Sequence, residues 1–326
     1  MPRPKHLCVL PCGGLLPEHF APWTSSDLAP YVHYVPEELS GSNAFKPLFD
    51  GFIFNGIGSR PGRFMYPMYA AFGAAADQSD WLLWIDFLFA PGCNLDALNS
   101  LADRPLNVWV SIPYPQMQYT NFGKMNGREL HFMSAKDRYE AVEWWIVQFL
   151  ERWNQVGNDF DNLVLRGFLW QRESIDKHDE PLVKMTNRFI ASKGYHSLWL
   201  PQYGAYGAVK FSMLGFDDAA IHANYYGNAG MGVEWINHAA IMARSCGAGF
   251  QIICGKGILY NDTHFLDYLN LGLPEKNGYA SSHLLVYQFP NQRLGDLSKK
   301  QPEDYERLYA FISGSYCKTS YPGIDY

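Results

Sequence analysis

A tryptophan followed three residues later by a glutamate, Trp170-Gln171-Arg172-Glu173, closes the apolar run 162–170. A carboxylate beside an aromatic ring at the end of a buried strand suits acid/base work on a sugar. The carboxyl moves a proton at the glycosidic oxygen, and the ring packs against the apolar C–H face of the pyranose. To hold a proton near neutrality such an acid needs a pKa above the reference of roughly 4.3, and Trp170 is the expected apolar wall. The plainer reading of Glu173 is a surface carboxylate paired with Arg172 or Lys177.

Glycoside cleavage ordinarily takes two carboxylates, about 5–5.5 Å apart for retention and about 6.5–9.5 Å apart for inversion. The segment 249–256, Gly-Phe-Gln-Ile-Ile-Cys-Gly-Lys, contains no acid, and Asp262 in the loop beyond is the nearest substitute. Asp217 and Asp218 precede a strand, which places them at the opposite end from the chemistry, and Glu234 opens a helix. Other chemistries lack their motifs. Cys8-Val9-Leu10 offers no His-x-His pair for a metal, and Pro11-Cys12-Gly13-Gly14 lacks the dinucleotide spacing. Gly255-Lys256 lacks the upstream glycine of a phosphate loop, and no Gly-x-Ser-x-Gly elbow occurs. Neither metal nor cofactor is expected.

These residues need elements to position them. Short apolar runs at 6–10, 51–56, 106–112, 162–170, 197–201, 219–223, 249–254 and 283–289 are bounded by Gly, Pro, Asn or Asp, as buried parallel strands are. Helical patterns lie between them. The clearest runs from Asp137 to Trp153, with Ser134 as its cap and Gly157 as its stop. Alternation of this kind predicts an α/β fold, a single (β/α)8 TIM barrel with eight interleaved helices and residues 1–326 as one domain. A doubly wound open sheet is the alternative.

In such a barrel the residues just past each strand converge on one mouth. The expected substrate-binding set is Asn55, Tyr114, Trp170, Gln171, Gln202, Tyr203, His222, Asn224, Tyr225, Gln251 and Tyr287, with Glu173 and Asp262 as the catalytic pair. Within it Trp170, Tyr114, Tyr203 and Tyr225 are the stacking platforms, while Gln171, Gln202, His222 and Asn224 orient hydroxyls. Neutral hydrogen-bonding groups beside aromatic rings suit polyhydroxylated ligands, whereas phosphates call for Arg, Lys and glycine loops.

Composition agrees. The 326 residues are 48% hydrophobic and 16% aromatic, which excludes a disordered chain. The net charge of −6 comes from 26 basic and 32 acidic residues without blocks, so no basic stripe exists for nucleic acid. The six cysteines form no Cys-x-x-Cys and read as small buried hydrophobes. No apolar run is long enough for a transmembrane helix or a secretory core. The chain as it stands reads as cytoplasmic, with cell surface or periplasm the alternative where a signal has been trimmed.

The segments Phe49-Asp50-Gly51-Phe52, Ser111-Ile112-Pro113-Tyr114-Pro115, Gly167-Phe168-Leu169-Trp170-x-x-Glu173, Leu200-Pro201-x-Tyr203, Gly215-Phe216-Asp217 and Asn224-Tyr225 together resemble a bacterial family known as domain of unknown function 4855. The resemblance spans nearly the whole chain in order. It implies a glycosidase-type barrel of cell-surface or polysaccharide context and makes Trp170 and Glu173 the matching Trp-x-x-Glu. It also implies acids in the seventh strand, where this chain carries Gln251 and Ile253, a departure that counts against a retaining mechanism. The expected function is glycoside hydrolysis with Glu173 as general acid/base. The alternatives are a carbohydrate-binding barrel without a nucleophile and a structural domain of a surface assembly.

Overall fold

The computed structural model describes residues 3–35, 45–118, 121–156, 159–322, 324 and 326. Eight strands form its centre: β1 (His6–Cys12), β2 (Gly51–Gly56), β3 (Leu106–Ile112), β4 (Leu163–Trp170), β5 (His196–Trp199), β6 (Asp218–Ile221), β7 (Gly249–Ile253) and β8 (Leu285–Gln288). All pair in parallel with their neighbours in the chain, and β8 returns to β1, so the sheet closes into a barrel. The open-sheet alternative is excluded. Every strand read from the sequence is present; β5 stops before Pro201, which has no N–H to continue a ladder.

The helices are α1 (Ser25–Val32), α2 (Gln78–Leu88), α3 (Asn94–Leu101), α4 (Ala135–Val156), α5 (Glu180–Ser192), α6 (Glu234–Cys246), α7 (His264–Gly272), α8 (Leu294–Lys300) and α9 (Pro302–Ser313). The expected one-to-one alternation fails at three places: α2 and α3 both lie between β2 and β3, α8 and α9 both follow β8, and no α-helix joins β5 to β6. Between β5 and β6 the chain makes a 3₁₀ helix, Ala208–Leu214, flanked by Gly207 and Gly215 in the left-handed region. In α4 the Ser134 hydroxyl accepts a bond from the Asp137 N–H, as its spacing predicts, while Gly157 lies outside the described residues. No helix among the described residues is long and apolar enough to cross a membrane.

Period-two alternation divides the apolar residues into two layers. Leu7, Val9, Ile53, Trp109, Leu169, Leu198, Ala220 and Val286 pack together inside the barrel. A larger cluster, rich in aromatics such as Trp81, Trp84, Trp145 and Trp199, fills the layer between strands and helices. Most of the aromatic content is therefore core. At the strands' N-terminal ends Asp217 accepts a bond from the Ser197 N–H at 2.8 Å and Asp218 pairs with Arg3, the stability role expected there.

One irregularity sets the phase of β4. The pairing with β3 shifts between Leu165 and Gly167, so two residues of β4 oppose one of β3. Leu163 and Leu165 face the helices before the bulge; beyond it Leu169 faces inward and Phe168 and Trp170 face the helices. Only glycine fits at the bulge, because a Cβ at Gly167 would lie 1.8 Å from the His196 carbonyl oxygen. Gly167→Ala should therefore destabilise the chain by about 2 kcal/mol or more in urea unfolding, since the opposing atom is backbone and cannot swing away.

Buried His6 lies on the outer side of β1, its Nδ1 2.9 Å from the Tyr287 hydroxyl. Burial lowers its pKa to about 4, against the raising pull of Asp50. As pH falls, the unfolded chain takes up this proton first, so the stabilisation is complete above about 6.5 and is lost on the way down to 4. Urea unfolding across this window should show stability falling with acidity at up to about 1.4 kcal/mol per pH unit from this group, and a shallower slope in His6→Phe. An unchanged slope in the variant would refute the assignment.

Candidate active site

Closure of the barrel assigns a direction to each predicted residue. Gln171 and Gln251 point inward, where they form a polar plug above the apolar interior. The Gln171 amide donates to Asn55 Oδ1 at 3.0 Å and to the Gly56 carbonyl; Gln251 donates to the Ala220 carbonyl at 2.6 Å and accepts from Gln288 at 2.6 Å. Gln251 is 1% exposed and Gln171 4%. Both were expected to bind substrate; instead their amides hold strand ends together, and Asn55, half-buried, is tied to the same plug.

The aromatic platforms need a similar correction. Trp170, on the outward side of β4, is 2% exposed and meets the Tyr114 ring edge-on, with centroids 5.9 Å apart. It has no face to offer a sugar. Tyr114 is buried, its hydroxyl donating to Asp179 Oδ2 at 2.8 Å, and Tyr225 donates to Asp267 at 2.6 Å. Tyr287, bound to His6, sits outside the barrel wall. Of the predicted aromatics only Tyr203 keeps a partly exposed ring, set edge-on against Trp235.

Glu173 stands clear of this packing. Its Oε1 accepts a hydrogen bond from the Tyr66 hydroxyl at 2.5 Å and its Oε2 one from the Gln202 amide. The pairing with Arg172 that the plainer reading would require does not form: Arg172 turns to Asp176 and Asp179 instead. Among the described residues no cation pairs with Glu173. Tyrosine hydroxyls and glutamine amides can each donate or accept, so these partners suit either protonation state of a carboxyl, which a fixed Arg or Lys would not.

Elements beyond the strand ends bring the partners in. Gln202 and His222 extend the β5–β6 pairing past the strands, with the His222 N–H donating to the Pro201 carbonyl at 2.9 Å and the Tyr203 N–H to the His222 carbonyl at 2.7 Å. His222 Nδ1 lies 2.9 Å from Asn224 Oδ1, and Asn224 adopts a left-handed φ of 57°, which asparagine tolerates. Burial lowers the His222 pKa below its ordinary value, with Glu173's charge and the Asn224 bond opposing. The imidazole is neutral at pH 7.

The sequence reading missed a tyrosine ring around Glu173. Tyr66 and Tyr69 come from the long β2–α2 connection, with ring centroids 5.8 Å apart, and Tyr226 lies 5.7 Å from the His222 ring. Burial, then Glu173's negative charge, raises the phenol pKa of all three, to about 12 for Tyr226. A signal existed in the Tyr225-Tyr226 pair, because alternation buries one neighbour and frees the other. Nothing local marks Tyr66, which a loop delivers from far away in sequence.

That loop is held by a buried carboxylate. Asp80, 0% exposed, accepts from Ser59 at 2.7 Å, from Arg60 Nε at 2.9 Å and from Arg63 Nε at 2.7 Å. Burial by itself would raise the Asp80 pKa, but bonds from the Asp77 N–H, Ser59 and Arg63 bring it below the ordinary value. Arg63 also reaches Asp77, the N-cap of α2, so the segment before Tyr66 is fixed to that helix. Asp262, by contrast, is exposed and lines a different cavity, in which Glu173 takes no part. No metal-holding cluster of three or more His, Cys, Asp or Glu occurs among the described residues.

Residues 16–312 match the family described as "Domain of unknown function (DUF4855)". No curated protein matches the chain. Among solved structures it is similar to a GH113 β-1,4-mannanase, at 9% identity and TM-score 0.43 over 81% of this chain and 88% of that one. A group II chitinase catalytic domain from Ostrinia furnacalis is similar at 12% identity and TM-score 0.44, over 95% and 96%. So is a tryptophan synthase α-subunit from Pyrococcus furiosus, at 8% identity and TM-score 0.38, over 95% and 97%.

Asp80→Asn should leave Arg63 without its buried partner and cost about 3 kcal/mol in chemical unfolding. A loss below about 1 kcal/mol would show that the Tyr66 loop is held by other contacts.

Proposed function

Because the chain belongs to the DUF4855 family, whose description states no reaction, we propose from the site itself that the barrel cleaves glycosidic bonds with Glu173 as its proton-transferring group. The observation that carries this is the setting of Glu173: a partly exposed carboxylate just beyond β4, bonded to Tyr66 and Gln202, ringed by Tyr69, Tyr226 and neutral His222, and unpaired with any cation among the described residues. Tyrosine rings and neutral hydrogen-bonding groups match a sugar's two kinds of surface. A phosphorylated substrate would require free cations. Arg60 and Arg63 of the β2–α2 connection, Arg138 of α4 and Arg172 after β4 are each tied to a carboxylate.

In the reaction Glu173 gives its proton to the departing glycosidic oxygen as the anomeric carbon–oxygen bond breaks; water adds to the anomeric carbon and releases one proton to solvent, from which Glu173 is reprotonated. Tyr66 and Gln202 hold the carboxyl before and after the transfer. β7 ends without an acid and Asp262 lines a separate cavity, which disfavours a covalent intermediate on a second carboxylate about 5 Å away. Hydrolysis would then invert the anomeric centre. The same observation favours, as a second reading, a barrel that binds glycans without cleaving them.

Glu173→Gln keeps the shape but cannot transfer a proton, so turnover of a cleavable oligosaccharide should fall by about 10²–10⁴-fold with affinity largely kept. Proton NMR of the freshly released reducing end should show inversion. Unchanged turnover would remove Glu173 from the chemistry; tight binding with no product from the unaltered chain would select the binding reading.

A further inference from the structure

A cavity of about 180 Å³ opens between the ends of β7 and β8, lined by Lys256, Tyr260, Asp262, His264, Gln292 and Asp304 among others. Resting on the reading of the Glu173 mouth as a glycan site, we propose that this cavity is a second sugar-binding subsite, which takes a neutral pyranose unit further along the same chain.

The two places share a wall. Tyr260 lines the cavity, and its ring meets that of Tyr226 edge-on, with centroids 5.6 Å apart and planes at 88°. The β6–α6 and β7–α7 loops are tied there by backbone, Asn228 N–H donating to the Leu259 carbonyl at 2.9 Å beside a Gly227–Tyr260 bridge. A ligand chain leaving Glu173 across Tyr226 therefore arrives at Tyr260 and the cavity. Drug-sized ligands fill roughly 300–1,000 Å³, so this volume suits a single ring. Next to it Ile258 is 93% exposed, an apolar edge for the C–H face of a sugar.

The polar lining has unused capacity. Gln292 donates to the Cys254 carbonyl at 2.6 Å, but its Oε1 is buried with no partner. A buried acceptor left unmade costs about 1–3 kcal/mol, which a ligand hydroxyl would relieve. The side chains of Lys256 and Asp262 make no hydrogen bond or ion pair among the described residues, and they are ready to donate and accept. His264 is spent, with Nδ1 against the Asn261 carbonyl at 2.5 Å and Nε2 accepting from the Gly255 N–H at 3.0 Å. A phosphate would meet one lysine against two aspartates, so a neutral hydroxylated ligand fits better than an anion. Asp262, spaced by sequence as the catalytic partner, becomes a binding residue here.

Isothermal titration tests this with β-1,4-linked glucose, mannose and N-acetylglucosamine oligosaccharides, from disaccharide to hexasaccharide, and with inorganic phosphate. In the unaltered chain, affinity should rise with oligosaccharide length. In Gln292→Ala, and in Asp262→Ala, where the exposed side chain makes misfolding a minor concern, that gain should shrink about tenfold, close to 1.4 kcal/mol. A gain that persists in both variants overturns the subsite, as does phosphate binding that disappears in Lys256→Ala. No binding by any oligosaccharide to the unaltered chain overturns the glycan reading of the mouth itself. Length-independent binding leaves that reading standing and removes this one.

Discussion

A closed parallel barrel leaves each strand end only two directions, and both are taken. An inward residue must help to plug the barrel, and an outward one must pack beneath the helices. Gln171 and Gln251 satisfy the first demand, while Trp170, Tyr114 and Tyr225 satisfy the second. Groups free to meet a ligand have to come from a few residues past the strands. Glu173, three residues beyond the end of β4, is one of these, as are Tyr226 and, from the β2–α2 connection, Tyr69; Tyr66 of that connection is buried and reaches the carboxylate through its hydroxyl. The site stands on the barrel without being made from its wall.

Loops that carry such groups must be rigid, and buried ion pairs supply the rigidity here. Asp80 gathers Ser59, Arg60 and Arg63 below the Tyr66 segment, and Asp179 gathers Tyr114, Arg138 and Arg172 beside β4. Removing these charges from water is unfavourable unless each donor finds an acceptor, so the networks are tightly interlinked. They also have an electrostatic effect on the mouth. With these arginines neutralised in place, Glu173 is left among phenols, amides and an uncharged imidazole, where its charge lifts the pKa of its tyrosine neighbours.

The bulge at Gly167 shows how little sequence is needed to redirect a site. Were β4 regular throughout, the alternation set by Leu163 and Leu165 would carry on and turn Trp170 into the barrel. With it, Leu169 and Gln171 face inward, and Trp170 supports Tyr114 in the outer layer. The Trp-x-x-Glu spacing therefore joins a core residue to a partly exposed carboxylate.

Sequence alone determined the strands and their order along the chain, because apolar period and chain-breaking residues act locally, while closure of the sheet was decided by the pairing of β8 with β1. It also singled out Glu173, whose position after a buried strand is a matter of counting. Only the tertiary structure decided which aromatics face solvent, since a one-residue bulge reverses a strand's two faces without leaving a composition signal. Only it could bring Tyr66 and Gln202 to the carboxylate, across 107 and 29 residues of chain. Likewise it placed Asp262 beside Tyr260 in a separate cavity. These contacts depend on where loops land once the barrel has closed, and local sequence carries no record of that distance.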